Sequence, residues 1–564
     1  MMYRHFKYET LLYLLAFLVA LGLRLTQLGV MPLTDAEAAP ALQALRLSQS
    51  VDTALNPHPF YILSTSILFL LYGGGTDFLA RLMPALMGSL LVFAPLLFDN
   101  RIKPRPGLIL AFLLAFDPGL VAISRQAASP IFAIGLSIFA VGFFNKDRRT
   151  LAAVFAALAF LSGPAIWLGL LGIGITWAIY QLFNRPARSE GEEVTPSAPK
   201  FSFNSSLLIV FIIAFIIAGT LFFTVPDGIG AAFASIPAFF ETWVQTSDIS
   251  PGMMMLSLLI YQPFTLLLAI IAIIRGSTKG VRRIIFLTIW MAVSLLLVIF
   301  LPARQMSDLA WMLIPLSALA SLEFARHFNI FPDERREVIG VVLLTVFIWV
   351  FAWLGFAGMT WFPADSREYL LRFWMLIGAL VLLVVSLLLI AAGWSIRTAR
   401  LGGIWGLAVA LGVLGLGGAF GTAGLRGLNF PELWWQPAIP LQADLLGETV
   451  DQVSEFGIGD DNSGRVVIVR LDSPALEWTL REHPVQVVDA LDPSTSPDFV
   501  ITPYEMDPAL VAAYRGQDFI WRQSPVWRGA VPSNWFRWVT LREMPQGGES
   551  IILWARDDLF LDGQ

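Results

Sequence analysis

The sequence predicts a polytopic α-helical membrane protein with a small α/β domain at its C-terminal end. Three observations lead there. The 564-residue chain is 56% hydrophobic and only 14% charged, whereas soluble domains are roughly a quarter charged. Apolar runs of membrane-helix length recur from Leu11 to Ala423. Beyond residue 426 those runs stop, and short apolar segments alternate with helical ones, the pattern of a small two-layer domain.

The same composition removes several chemistries. There is no cysteine, hence no disulfide and no thiolate metal site. The four histidines, His5, His58, His327 and His483, are scattered along the chain, so no metal and no cofactor is expected. Arg4 and Lys7 precede the first apolar run, and no small-residue cleavage site precedes Arg24. The first helix is therefore read as retained rather than as a signal peptide.

Basic residues accumulate in cytoplasmic loops and orient the helices. With the N-terminus inside, the 28–61 loop lies outside. The apolar run 60–72 is too short for roughly 30 Å of hydrocarbon, so it is read as re-entrant or interfacial. That choice puts Arg101, Lys103 and Arg105 inside, followed in turn by Lys146, Arg148 and Arg149, the polar 184–200 linker, Arg275 to Arg283, Arg326 to Arg336, and Arg397 with Arg400. About thirteen spans result, with the C-terminus outside. The 226–251 loop is expected to hold a surface helix at 231–244. Helix interiors are nearly free of charge, Asp117 and Glu323 being the main exceptions, which speaks against a transporter with polar groups at mid-membrane.

The expected division is 1–425 for the membrane domain, with its first outer loop at 26–78, and 426–564 for the extracytoplasmic domain. From Phe430 to Gln564 there are 21 Asp and Glu against nine Arg and no Lys, a balance of −12. The whole chain carries −5, which leaves the membrane part near +7. Acidic residues do little to resist translocation. Strands are expected at 466–469, 485–488, 499–502 and 551–555, and helices at 475–481 and 508–514. No Gly-rich phosphate loop and no nucleophile elbow occurs, so the domain is read as a binding or capping module.

The stretch that draws attention is the first outer loop. Asp35 and Glu37 stand two residues apart, a short amphipathic helix follows at 38–48 and is expected to lie on the membrane surface, and His58-Pro59 closes the loop. Acids and a histidine beside a membrane-surface helix suit chemistry on a lipid-linked substrate. The two acids equally suit the start of a helix, where its dipole favours negative charge.

Several segments together resemble the GT-C glycosyltransferases, in particular the family-39 group of protein O-mannosyltransferases and aminoarabinose transferases. Pro32-Leu33 with Glu37-Ala38 and then 41–47 resembles that group's first outer loop. His58-Pro59-Phe60-Tyr61 is similar to its His-Pro-Pro-Leu-Tyr stretch, and 80–86 to its Ala-Arg-Leu-Pro-Ser-Ala-Leu. Ile123 to Ala127, Leu161-Ser162-Gly163-Pro164 and Pro302-Ala303-Arg304 fall where the group has comparable segments. The resemblance covers roughly the first 330 residues. It implies inverting transfer of a sugar from a polyprenyl phosphate to a protein or glycolipid acceptor outside the cytoplasm, in the cell membrane. The group's base is the Asp of an adjacent Asp-Glu pair. Here that position holds Ala36, and Asp35 comes one residue early. Ser162 stands where the group often has Lys, and no second acid follows Arg125.

Such a transfer requires a carboxylate to take the acceptor's proton and cations to hold the phosphate. Asp35 or Glu37 is the expected catalytic carboxylate, acting as the base. His58, Arg81, Arg125 and Arg304 are the expected substrate-binding residues, the three arginines standing at the outer ends of helices. Snorkelling of these arginines to headgroups is the competing reading, as is a non-catalytic relative that binds lipid-linked glycan or serves a cell-envelope assembly complex.

Overall fold

In the computed structural model the described residues are 2–98, 104–183, 205–427 and, between short gaps, 430–560. Arg101, Lys103 and the 184–200 linker lie outside them. The chain up to Thr422 is a bundle of helices, and the chain from Ala443 onward packs around a five-stranded sheet. Among the described residues eight helices are long and apolar enough to cross a membrane, or ten if two bent pairs each count as one span. Every span expected from the sequence has a helix in its place, three of them short ones at Ile131–Asn145, Arg149–Phe160 and Ser205–Gly219. The run expected to be too short to span forms Pro59–Tyr72, 14 residues ending at Gly73. The surface helix of the next long loop is Asp227–Glu241, several residues earlier than expected.

Both bent pairs break at proline, which cannot donate to the preceding turn and whose ring disfavours a helical residue before it. Arg105–Phe116 meets Pro118–Ser124 at 57°, and Pro251–Tyr261 meets Pro263–Thr278 at 94°. The residues between the halves are Asp117 and Gln262. The Asp117 carboxylate caps the second half, accepting from Leu120 N at 2.9 Å, and its other oxygen accepts from Gln262 Nε2 at 2.7 Å. The two breaks are thus joined by a buried polar bond that satisfies groups the proline kinks set free. This is the physical reason for the charge at 117 inside an otherwise apolar run.

Ala310–Phe324 is buried on nearly all sides and forms the centre of the bundle. Its Trp311 lies so close to Gly169 that a Cβ there would come within 2.2 Å of the indole. Arg367–Gly393 is the opposite case, with only Ala379 and Leu383 buried; a helix apolar and exposed on nearly every side is one that faces lipid. The chain is a multi-pass membrane protein.

The C-terminal sheet has the order β2-β1-β3-β7-β4, with β1 at Val466–Val469, β2 at Val485–Val488, β3 at Phe499–Pro503, β4 at Tyr514–Pro525 and β7 at Gln546–Arg556. The remaining strands, β5 (Trp527–Arg528) and β6 (Val531–Pro532), form a separate hairpin. β1 is parallel to β2 and β3, β7 is antiparallel to both β3 and β4, and Pro474–Thr479 crosses between β1 and β2. β1 and β3, buried on both faces, read as unbroken apolar runs and were visible in the sequence. β4 was not: it is an exposed edge strand whose polar residues carry no such signal. The helix expected at 508–514 falls partly outside the described residues, and Tyr514 already opens β4.

Candidate functional site

The first loop folds as Asp35–Ser48, a helix that starts three residues before the expected Ala38. Thr34 precedes it, and Glu37 at the third helical position accepts from Thr34 N and Oγ1, both at 3.2 Å. This is the sequence pattern of a helix start. The helix was expected on the membrane surface. Instead Ala38, Ala41, Leu42, Ala44 and Leu45 are buried, because it lies between the Pro59–Tyr72 helix and the Pro474–Thr479 helix of the C-terminal domain.

The Glu37 carboxylate points into the bundle. Arg81 grips it with two parallel bonds, Nε to Oε1 at 2.8 Å and Nη2 to Oε2 at 2.7 Å, and Ala127 N adds a third donor at 3.0 Å to Oε1. Both side chains are almost wholly buried, 2% and 3% exposed. Burial alone would raise the Glu37 carboxyl, yet the charge and hydrogen bonds of Arg81, with the Ala127 and Thr34 amides, carry it below its ordinary value. The remaining Arg81 donors reach the carbonyls of Met31 and Pro32. Three of the segments singled out in the sequence therefore converge at one carboxylate: the first loop, the 80–86 helix and the turn after Arg125.

Asp35 points the other way, into the C-terminal domain. Oδ1 accepts from Ser473 Oγ at 2.6 Å and Ala475 N at 3.1 Å. Oδ2 accepts from Arg522 Nε at 2.9 Å, and Arg522 Nη2 lies 2.7 Å from it in the same ion pair. Of the carboxylate's roughly four lone-pair sites, three are taken by hydrogen bonds and the guanidinium charge faces Oδ2.

Of the expected binding residues, Arg125 caps a helix. It donates to the carbonyls of Leu23, Arg24, Thr26 and Gln27, the free acceptors at the end of Met2–Leu25; burial and then the nearby charge of Arg81 lower it to about 10. Arg81, Arg125, Glu37 and Gln126 line one small cavity of about 40 Å³ together with Met31 and Trp435, room for a few waters rather than a sugar. His58 stands apart. Its ring packs on Gly163, where φ is +108° and a Cβ would come within 2.6 Å of the imidazole, and Phe60 N donates to Leu161 O at 2.9 Å. The His58-Pro59 and Ser162-Gly163-Pro164 stretches, 100 residues apart, are thus neighbours. Burial lowers His58 to about 4, so the ring is neutral near pH 7. Arg304 differs from the other two arginines: it donates to Ile249 O at 3.0 Å, and its buried Nε has no partner.

Sequence reasoning passed over Ser473 and Arg522, whose role depends on a domain contact more than 400 residues away in sequence from Asp35. It also passed over Glu432. That side chain is fully buried, hydrogen-bonded by Tyr261 and flanked by Arg426 and Arg542, each at 3.3 Å, and so ties the entry to the C-terminal domain to the kink at Gln262. No local motif signals such a group.

The chain has a GT-C glycosyltransferase fold. Over 98% of its length it superposes on 99% of the crystal structure of ArnT from Cupriavidus metallidurans bound to undecaprenyl phosphate, with a TM-score of 0.55 at 14% identity. The apo structure of the same protein gives 0.54 at 14% identity, covering 98% of each chain. An oligosaccharyltransferase from Archaeoglobus fulgidus scores 0.35 at 12% identity over 88% of this chain and 68% of its own, too low to carry an argument. No protein-family model matches the chain, and no curated protein sequence matches it.

Proposed function

We propose that this protein is a membrane glycosyltransferase that takes a sugar from a polyprenyl-phosphate donor and transfers it to an extracytoplasmic acceptor, a protein or a glycolipid. The observation that carries the reading is the end-to-end superposition on ArnT, solved with undecaprenyl phosphate. It is joined by the meeting of the family-like segments at Glu37, Arg81 and Ala127. The N-terminus is cytoplasmic, 1–425 forms the membrane domain, and 426–564 lies outside. In the reaction an acceptor hydroxyl loses its proton to a carboxylate, its oxygen bonds to the anomeric carbon, and the bond from that carbon to the phosphate oxygen breaks on the opposite face. The configuration inverts, and polyprenyl phosphate leaves.

The roles proposed for the expected residues follow their contacts. Glu37 and Arg81 hold the loop, since their bonds are fully exchanged with each other and with backbone. Arg125 braces the end of the first helix. Arg304, with donors to spare, suits the phosphate. Asp35 is the acid that movement of one domain would release, and it is the proposed base. His58, neutral and set on the Gly163 turn, suits a hydrogen bond to the acceptor. A non-catalytic relative that binds lipid-linked glycan is the second reading, favoured by the donors that already engage both acids. Turnover of polyprenyl-phosphate-linked sugars by purified protein in detergent separates the two. Binding without turnover for any donor supports the second.

A further inference from the structure

The C-terminal sheet holds Asp35 in the place where open α/β sheets take ligands. Such clefts lie outside the carboxyl ends of parallel strands, where the chain leaves one strand for opposite sides of the sheet. β1 is that strand, with β2 on one side and β3 on the other. The loop leaving β1 carries Ser473, and Arg522 lies on β4 opposite Glu549, beyond the register that pairs β7 with the carboxyl end of β3. The cleft is built in advance of its occupant. Buried Trp521 donates from Nε1 to Ser473 Oγ at 3.1 Å, which leaves the hydroxyl proton for Asp35. The Arg522 Nη2 is steadied by Asp472 O at 3.0 Å.

Asp35 and Glu37 are engaged in different ways. Every donor on Glu37 belongs to the membrane bundle and is buried. Every donor on Asp35 belongs to the C-terminal domain, and the Asp35 and Arg522 side chains are 28% and 27% exposed. The contacts around it are also between domains: Arg46 to Glu477 at 2.8 Å, Trp478 Nε1 to Asp77 at 2.5 Å, and Arg481 Nε to Gly75 O at 3.0 Å. The Arg46–Glu477 pair is exposed and contributes about 0–1 kcal/mol, while beneath it Trp478, 2% exposed, packs against Phe69.

We infer that the C-terminal domain is a latch that masks the Asp35 carboxylate, and that its undocking from the first loop unmasks that acid for the transfer. The gating half of this inference rests on the proposed glycosyl transfer; the masking half does not. A carboxylate held by three donors and paired with the Arg522 guanidinium is a poor acceptor for a substrate proton, so the closed arrangement is inactive. Once Ser473, Ala475 and Arg522 withdraw together, Asp35 stands at the start of its helix with both oxygens free, while Glu37 keeps the loop in place.

The test uses the whole protein in detergent. Carboxylates are labelled with a water-soluble carbodiimide and an amine, and read by mass spectrometry. Asp35 should label slowly in the wild type and at least about fivefold faster in Arg522→Gln and Ser473→Ala, with Glu37 protected in all three. Because the chain has no cysteine, Arg46→Cys with Glu477→Cys can be bridged by a bis-maleimide that contains a cleavable disulfide. The bridge should lower both Asp35 labelling and sugar turnover at least about tenfold, and reduction should restore both. Equal Asp35 labelling in wild type and both cleft variants, or full labelling with the bridge in place, overturns the masking. Wild-type turnover in the bridged protein overturns the gating. If no form turns over any donor, the proposed transfer fails, and the labelling alone decides whether the latch exists.

Discussion

Arg81 and Glu37, 44 residues apart in sequence, form a two-bonded ion pair with both side chains at or below 3% exposure. The pair has no spare valence: Glu37 also accepts from the Ala127 and Thr34 amides, and Arg81 also donates to loop carbonyls. Its chemistry is that of a fastener. The sequence motif that drew attention as a catalytic acid beside a phosphate-binding arginine is, in space, a clamp that pins the first loop to the bundle.

Breaking one half of this clamp leaves the other as a buried unpaired charge. Removing one partner of such a pair costs about 3–5 kcal/mol. Glu37→Gln and Arg81→Ala are each expected to lower the apparent melting midpoint in detergent by several degrees, and the double variant by less than the sum of the two. Midpoints within experimental error of wild type in both single variants would show that the clamp does not hold the fold.

Arg304 carries a buried donor, Nε, that has no partner. Arg304→Ala is expected to weaken binding of a polyprenyl phosphate by roughly 1.5–3 kcal/mol, a change of about ten- to a hundredfold, with the melting midpoint nearly unchanged. Titration of detergent-solubilised protein with the lipid phosphate reads this directly. Unchanged affinity would return Arg304 to headgroup snorkelling.

Acid should act in two separate windows. His58 titrates near 6.5 when unfolded and about 4 when folded, so the unfolded chain takes the proton first and stability falls as pH drops from 6.5 towards 4. Glu37 runs the other way as an acid: its folded value lies below the ordinary 4.5, so its contribution is complete above that value and is lost as pH falls through the folded one. His58→Gln should flatten the first window, and Glu37→Gln the second, in melting midpoints measured from pH 7 to pH 3. A wild-type profile level from pH 7 to 4.5 would remove the account of His58.

For the chemistry, Asp35→Asn keeps shape and hydrogen bonding but removes basicity. Loss of a general base costs roughly 10²- to 10⁴-fold in rate, and that is the expected fall in sugar turnover, with the lipid still bound. Full activity in Asp35→Asn would assign the base elsewhere.

Orientation is checked by reporter fusions. Those after Arg149, Arg283 and Arg400 should read as cytoplasmic, and those after Gln49, Arg304 and Asp562 as outside. A cytoplasmic signal at Asp562 would reverse the placement of the C-terminal domain.

The sequence by itself determined the membrane class, the place of nearly every helix, the too-short helix at 59–72, the buried strands β1 and β3, and the more exposed β2. All of these follow from local apolar patterning and length, which need no partner to be read. It also singled out Asp35, Glu37, His58, Arg81, Arg125 and Arg304 as candidates, from their place in the first outer loop or at outer helix ends and from the resemblance. Which residue meets which was decided only by the tertiary structure. A carboxylate's partners are whatever donors the fold brings within about 3 Å, and those of Asp35 come from Ser473 and Arg522, over 400 residues away. Two residues of one helix turn were thereby sent in opposite directions: Glu37 into the bundle to hold the loop, and Asp35 out to the C-terminal domain, where it is held in turn.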